Sequence, residues 1–216
     1  MTNRPPPGLW DSFWAEHASS DKLFHRLLWR IRFLFSYAYA QALFKMPRPE
    51  RNAARILEVG CGSARTLHYL GARLPNYHCY AFDLSPDALR VVKQISPDFR
   101  TTISEASRLP LANGACTLAF SIGLIEHFDR PTAAEMVRDM VRVTEPGGVV
   151  AVMVPWQSSF YNLIRIVFGK YWPFGHENPF RRAELTKFMR AQGVQDVRLH
   201  IIFGSTLVAI GRTASR

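Results

Sequence analysis

The most informative segment of the chain is Ile56–Ala64, with the sequence ILEVGCGSA. A short apolar run leads directly into a turn with glycine at positions 60 and 62, and a helix-like pattern follows. Glycine lets the backbone pass close to a ligand because no Cβ stands in the way. Open parallel sheets bind ligands at the carboxyl ends of their strands. The segment therefore predicts an α/β fold with a binding site at this turn.

Strand-like and helix-like patterns alternate along residues 51–155, as is typical of a doubly wound sheet with helices on both faces. Apolar runs predict strands at Arg55–Val59, His78–Asp83, Arg100–Ser104, Cys116–Ser121 and Gly148–Val154. Helices are predicted at Ser63–Leu74, Pro86–Ile95, Thr132–Thr144 and Arg181–Gln192. Two further strands, Val194–Ile202 and Ser205–Gly211, are predicted to form an antiparallel pair. The sum is a seven-stranded, mostly parallel sheet whose last strand is antiparallel.

The residues before this alternation, 1–50, are predicted to be an amphipathic helical extension of the domain at 51–216. A helix is expected at about residues 21–46, ending before Pro47. Eight Lys or Arg residues and one acidic residue lie between Lys22 and Arg55. The apolar face of this helix either packs on the domain or lies on an anionic membrane through residues 22–46. Packing is the favoured interpretation.

The formal net charge of +10 on 216 residues favours anionic partners such as nucleic acid, a phospholipid surface or acidic substrates. The cysteines, Cys61, Cys79 and Cys116, form no CxxC pair, which argues against a zinc site and a disulfide framework. We expect a cytoplasmic protein, possessing neither a secretory signal nor a spanning helix but able to associate with membranes.

Glu58 distinguishes this glycine turn from a phosphate-binding turn. Its carboxylate stands at the strand end directly before the glycines, where it would repel a pyrophosphate. It would attract a cationic ligand, and S-adenosylmethionine (SAM) carries both an ammonium and a sulfonium group. The third glycine of a dinucleotide motif is also missing, because Arg65 occupies that position. An NAD-dependent dehydrogenase is thus the weaker alternative.

Asp83 ends the second predicted strand about 20 residues beyond the glycine turn, at the spacing where an acid accepts the hydroxyls of an adenosine ribose. Leu84 would then face the adenine ring. An acid at this position could instead cap the helix that begins at Pro86. Together with the glycine turn, ribose binding is the favoured role.

On these residues the chain resembles the class I SAM-dependent methyltransferases, in particular the group similar to the ubiquinone and menaquinone biosynthesis enzymes. The resemblance extends to Glu105–Leu111, where it implies that Glu105 meets the adenine amino group with the Ala106 backbone beside it. It also covers the fourth-strand run Phe120–Phe128 and the turn Glu145–Gly148. The implied cofactor site comprises Glu58, Gly60, Cys61, Gly62, Asp83, Leu84, Glu105, Ala106 and Ser121.

The chain departs from this family at two positions. Thr117 replaces an aspartate that is frequent in the fourth strand. In the ubiquinone O-methyltransferases a glutamate three residues before the Glu-His pair helps hold a metal ion, whereas Gly123 stands there in this chain. With only Glu126 and His127 left, we expect no metal ion.

Two histidines are candidate general bases. His127 follows the fourth strand, and an imidazole titrates near neutral pH, so it could take a proton from an attacking hydroxyl. His176 lies in the cap insert predicted at residues 156–180. The Glu126-His127 pair is also common as a structural turn in this family, which is the favoured role of His127.

The predicted function is SAM-dependent methylation of a small, hydrophobic acceptor at oxygen or carbon. Aromatic residues of the cap insert would wall an apolar pocket, although they could equally pack the cap onto the sheet. Two alternatives stay open. One is RNA methylation, which the charge favours but which no Asn-Pro-Pro-Tyr motif or RNA-binding module supports. The other is a non-catalytic SAM-binding or peripheral membrane protein.

Overall fold

The computed structural model describes residues 23–44, 54–73, 76–168 and 176–215, with side chains of the first helix described from Phe33 onward. Seven strands form one sheet: β1 Ala54–Val59, β2 Tyr77–Asp83, β3 Arg100–Ile103, β4 Cys116–Ile122, β5 Thr144–Pro155, β6 Gln195–Ile202 and β7 Thr206–Arg212. Their order across the sheet is β3-β2-β1-β4-β5-β7-β6.

Strands β1 to β5 run parallel, and β7 lies antiparallel between β5 and β6. This arrangement confirms the predicted fold class. The strand order reverses between β1 and β4, whose carboxyl ends lie side by side because Val59 pairs with Ser121. Ligands of open α/β sheets bind at such a switch point. The glycine turn after β1 therefore lies at the expected place.

The described residues form six helices: α1 Leu23–Phe44, α2 Arg65–Gly71, α3 Pro86–Ile95, α4 Arg130–Val143, α5 Ser159–Phe168 and α6 Arg182–Ala191. One apolar core contains residues of α1, α2 and α3, including Leu43, Leu67 and Val92. A second core contains residues of α4 and α6, including Met140 and Leu185. Helices on both faces explain why every residue from Val149 to Pro155 is buried.

The second half of α1 packs on the sheet, as its amphipathic pattern predicts. Tyr39 and Leu43 are buried, and the Tyr39 ring meets the Phe120 ring edge-on with centroids 5.8 Å apart. The basic residues from Lys22 to Arg32 lie outside the described side chains, so the membrane contact predicted for residues 22–46 stays a prediction. No helix in the described residues has the length and apolar character needed to cross a membrane.

Three local features differ from the sequence expectation. Helix α2 begins at Arg65, because Ala64 before it has a left-handed backbone with φ of 48°. The predicted turn at Glu145–Gly148 is a bulge inside β5. On either side of it, Cys116 of β4 pairs with Thr144 and Leu118 of β4 pairs with Val149. Helix α5, inside the predicted cap insert, was not expected from the sequence.

Arg142 ties the long connection between β3 and β4 to helix α4. Its guanidinium pairs with Asp139, donates to the carbonyls of Leu109 and Leu111, and reaches the Asn113 side chain. Asp139 in turn accepts a hydrogen bond from the Leu109 amide. These contacts hold the irregular segment that follows Glu105 in one conformation.

We expect Arg142→Ala to lower the free energy of unfolding by about 1–2 kcal/mol, because several charge-assisted hydrogen bonds are lost together. Guanidinium denaturation measures this change. Arg138→Ala, on the same helix but with an exposed side chain, is the control and should change stability by less than about 0.5 kcal/mol. Equal effects of the two substitutions would contradict the role given to Arg142.

Candidate functional site

The turn between β1 and α2 needs glycine for two different reasons. Gly60 and Gly62 have positive φ angles of 62° and 51°, a region that residues with a Cβ rarely adopt. In addition, a Cβ on Gly60 would stand 2.8 Å from Cδ1 of Leu124. The turn therefore lies directly against the segment that follows β4.

Asp83 holds this turn in place. Its Oδ2 accepts a hydrogen bond from the Gly62 amide over 2.8 Å, and its Oδ1 accepts one from the Ser85 amide over 2.9 Å. The cap of helix α3 is a different residue, because the Ser85 hydroxyl accepts from the Ala88 amide. Asp83 is thus not the helix cap that the sequence left open as an alternative.

Glu58 is buried, with 3% of its surface exposed. Its Oε2 accepts a hydrogen bond from the Leu67 amide over 3.2 Å, in the first turn of α2. Ala64, at the N-cap position, has no side-chain acceptor to offer that helix. A carboxylate at a helix amino terminus is also favoured by the helix dipole, so Glu58 stabilises the start of α2 from the neighbouring strand.

Both carboxylates act on the same loop. Burial, followed by the charges of Asp83 and Glu58, raises the pKa of the Cys61 thiol well above its usual value. The loop amides are also occupied: besides those of Gly62 and Leu67, the Cys61 amide donates to the Phe82 carbonyl and the Ala64 amide to the Cys61 carbonyl. A phosphate needs such amides free, so these four amides do not offer a phosphate site.

The remaining predicted cofactor residues lie around this loop with different exposure. The Ser104 amide donates to the Asp83 carbonyl over 3.0 Å, which joins the segment after β3 to the end of β2. Glu105 follows with an exposed side chain, and Ala106 is half-buried. Leu84 exposes 64% of its surface beside Asp83. Glu58 and Asp83 thus both bind amides of the segment after β1, and Glu105 lies one residue beyond Ser104, which is bonded to Asp83.

Ser121, at the end of β4, is buried, and its Oγ has no hydrogen-bond partner among the residues that the structure describes. The Tyr39 hydroxyl donates to the Ser121 carbonyl over 3.3 Å. Burial and the Glu58 charge both raise the pKa of Tyr39 well above its usual value. The sequence did not predict that Tyr39 borders the site.

A second group of polar residues lies just past the end of β4. The 3₁₀ turn Ile125–His127 carries Glu126 and His127, and Glu177 approaches them from the segment after α5. All three are buried, and one ligand atom of each lies within 4.8 Å of the others. Glu126 and Glu177 were not among the predicted site residues, because their meeting depends on contact between segments fifty positions apart.

The ionisation of this group is strongly shifted. Burial, and then the nearby Glu177 carboxylate, raises the pKa of Glu126 well above its usual range. Burial lowers the pKa of His127, against the opposing effect of the His176 and Gly123 carbonyls. At neutral pH the imidazole is therefore uncharged.

Contacts around the group keep it ordered. His127 Nδ1 lies 3.0 Å from the His176 carbonyl oxygen, and the Tyr161 hydroxyl donates to Glu177 Oε2 over 2.5 Å. The His176 ring itself is exposed and contacts the Asn178 side chain. The two predicted bases are thus brought together, but only through the backbone of His176.

Arg130 fixes the segment that delivers Glu177. Its guanidinium pairs with Glu184, donates to the carbonyls of Asn178 and Pro179, and stacks on the Phe180 ring at 3.5 Å. The Asn178 amide also donates to the Glu126 carbonyl over 2.8 Å. The position of Glu177 is therefore set by the same interactions that attach the cap to α4.

A separate cavity of about 460 Å³ is lined by residues at the amino ends of β2 and β3, among them His68, Tyr77 and Arg100. It lies at the edge of the sheet opposite to the glycine turn. His68 is hydrogen-bonded to Ser96 there, and none of the predicted site residues lines it. The candidate site lies instead at the carboxyl ends of the strands, where Glu58 and Asp83 bind amides of the segment after β1.

Comparison with known proteins gives a consistent result. Residues 56–148 match the family described as methyltransferase domain. The malonyl-[acyl-carrier protein] O-methyltransferase of Methylococcus capsulatus is 28% identical over 150 residues, which are 68% of this chain and 54% of the relative. The chloroplastic tocopherol O-methyltransferase of Arabidopsis thaliana is 26% identical over 113 residues, or 50% of this chain and 31% of the relative.

Among solved structures, a SAM-dependent methyltransferase of Thermotoga maritima superposes with a TM-score of 0.71 at 18% identity, covering 94% of this chain and 99% of that one. At this identity the likeness shows the fold alone. The chain spans about half the length of the malonyl relative and about a third of the tocopherol relative.

We expect Asp83→Ala to weaken SAM binding by about tenfold or more, equivalent to at least about 1.4 kcal/mol, because the substitution releases Gly62 and removes the acceptor for the ribose. Titration calorimetry with SAM measures this. Asp87→Ala is the control, since that carboxylate pairs with Arg90 on the surface of α3. Unchanged affinity in Asp83→Ala, with Asp87→Ala as reference, would disprove the ribose role.

Proposed function

We propose that the chain is a class I SAM-dependent methyltransferase, as its match to the methyltransferase domain family over residues 56–148 supports, and that it transfers the SAM methyl group to oxygen or carbon of a small, hydrophobic acceptor. The observation that carries the proposal is the occupation of the loop amides by two carboxylates. Asp83 binds the Gly62 amide and Glu58 the Leu67 amide. The loop thus offers negative charge to its ligand, which suits a cationic sulfonium nucleoside.

The residues around the loop fit this cofactor. In the proposed complex the backbone of Gly60, Cys61 and Gly62 lies along the methionine part, and Glu58 and Ser121 lie beneath it. Asp83, at the end of β2, accepts the ribose hydroxyls. Leu84, Glu105 and Ala106 form the adenine side. Exposure of Leu84 and Glu105 supports this assignment, because both are accessible to a ligand.

SAM supplies a methyl group already activated by the positive sulfur. What the chain must add is alignment of the acceptor with that methyl and exclusion of water. Holding two reactants in line is worth several kcal/mol, of the order of 7–11 kcal/mol in the best cases. A general base contributes less, about 10²- to 10⁴-fold. Backbone geometry at the switch point therefore matters more than any single catalytic side chain.

Helix α5 supports an apolar acceptor. Its residue Tyr161 is buried and bonds to Glu177 at the site. Its other side exposes four large apolar residues, with exposed fractions from 52% to 79%: Phe160, Leu163, Ile166 and Val167. An apolar surface this close to the site would admit or dock hydrophobic molecules. The tocopherol relative, by its name, also acts on a hydrophobic acceptor.

The activity is tested by incubating the purified protein with isotopically labelled SAM and three substrate pools: a lipid and quinone extract, acyl carrier protein charged with malonate, and total tRNA. Mass spectrometry then identifies labelled products. We expect labelled methyl groups in an apolar product. At subsaturating SAM, the amount of labelled product should fall in Asp83→Ala and stay unchanged in Asp87→Ala. Label in tRNA alone would favour RNA methylation. SAM binding without label in any pool would favour the non-catalytic alternative.

We also propose that the protein collects its acceptor from an anionic membrane surface. The net charge of +10 favours such a surface. A chain of contacts joins the exposed face of α5 to α1: Phe160 lies beside Gly204, and the ring of the adjacent Phe203 meets that of Phe35 at 4.9 Å. The basic residues of segment 22–46 would add electrostatic attraction to the same lipid headgroups.

Vesicle co-sedimentation tests this docking. Ile166→Glu should lower the fraction bound to vesicles containing phosphatidylglycerol about tenfold. The substitution removes an apolar side chain whose burial in the lipid would contribute about 1.5 kcal/mol or more, and the anionic headgroups repel the new charge. The control is Ile103→Glu, which places the same charge at an exposed position on edge strand β3. If both variants pellet like the wild type, docking through α5 is wrong.

A further inference from the structure

We propose that Glu126, His127 and Glu177 bind a divalent metal ion, of the Zn²⁺ or Mn²⁺ type, beside the glycine turn. The three residues expose 2%, 6% and 6% of their surfaces, and one ligand atom of each lies within 4.8 Å of the others. Two carboxylates and one imidazole form a mixed oxygen and nitrogen donor set, which suits these ions better than Mg²⁺ or Ca²⁺, whose ligands are almost all oxygens.

An unpartnered oxygen inside the cluster points to a cation. Glu126 is buried, and its Oε2 has no hydrogen-bond partner among the described residues. A buried polar atom without a partner costs about 1–3 kcal/mol, and more when it is charged. The nearby guanidinium of Arg130 is already held by Glu184 and two backbone carbonyls. A metal ion would satisfy this oxygen and neutralise two buried carboxylates together.

The outer contacts are those that metal ligands generally have. The His176 carbonyl orients the imidazole of His127: its oxygen lies 3.0 Å from Nδ1 and can only accept a hydrogen bond. Glu177 is oriented by the Tyr161 hydroxyl. Both orienting groups come from the cap, so the cap would complete the site.

The expectation of no metal ion considered only ligands close in sequence, where Gly123 replaces a glutamate. The third ligand is supplied here by Glu177, on a segment that Arg130 fixes against helix α4. The site borders the cofactor loop, because Leu124, two residues before Glu126, packs on Gly60. A cation at this position would act as a Lewis acid that orients an acceptor hydroxyl and lowers its pKa.

Metal binding is measured directly, without SAM or acceptor, so its outcome is independent of the proposed activity. Chelator-treated protein is titrated with Mn²⁺, Zn²⁺ and Mg²⁺ by calorimetry, and bound metal is counted by elemental analysis after gel filtration. We expect one Zn²⁺ or Mn²⁺ per chain and a higher melting temperature with metal. Glu126→Gln and Glu177→Gln should each weaken binding by about 100-fold, and Tyr161→Phe by about tenfold.

Glu135→Gln, the same substitution at an exposed position of α4, is the control and should bind like the wild type. Circular dichroism shows whether each variant is folded, and Tyr161→Phe, which leaves all three ligands in place, tests the site independently of the two glutamine variants. The proposal is overturned if the wild type binds no stoichiometric ion, as expected if the carboxyl groups share a proton instead. It is also overturned if Glu126→Gln and Glu177→Gln bind metal as tightly as Glu135→Gln.

Discussion

Backbone amides at the amino end of a helix must find acceptors, and in this protein two carboxylates from neighbouring strands provide them. Asp83 reaches across from β2 to the Gly62 amide, and Glu58 reaches from β1 to the Leu67 amide. The same two bonds shape the loop and set its charge. A loop whose amides were free would attract phosphate, whereas this one presents carboxylates. The charge that the loop presents to a ligand thus follows from the hydrogen bonds that the fold needs for its own backbone.

Most of the fold could be predicted because its signals are local and periodic. Apolar runs of strand length and helical patterns between them gave all seven strands to within a few residues, apart from the start of β5, and α3 was predicted with its observed bounds. Where the expectation differed, tertiary contacts decided. Strand β5 begins four residues early because Thr144 pairs with Cys116 across the bulge, and Gly148 permits this: a Cβ there would stand 2.8 Å from the Glu145 carbonyl.

The site was predictable only where its residues stand at strand ends, since a strand end can be recognised in sequence and its neighbours follow from the topology. That reasoning placed Glu58 and Asp83 at one edge of the sheet. It could not show that their carboxylates bind loop amides, nor that the Tyr39 hydroxyl of α1 donates to the Ser121 carbonyl at the end of β4. Glu177 was still harder to predict from the sequence. Its position beside Glu126 depends on the contact of Arg130 with the Asn178 carbonyl and on the bond between the Asn178 amide and the Glu126 carbonyl.

The short segment after β4 connects the two halves of the site physically. Leu124 fills the space above Gly60, so the cofactor loop cannot move without displacing this segment. Two residues later Glu126 meets the cap, whose Asn178 amide is bonded to the Glu126 carbonyl. A displacement at the loop must therefore be transmitted to Glu126, and from there to the cap that would enclose the acceptor. Two contacts therefore connect the cofactor loop to the cap: Leu124 packs on Gly60, and the Asn178 amide is bonded to the Glu126 carbonyl.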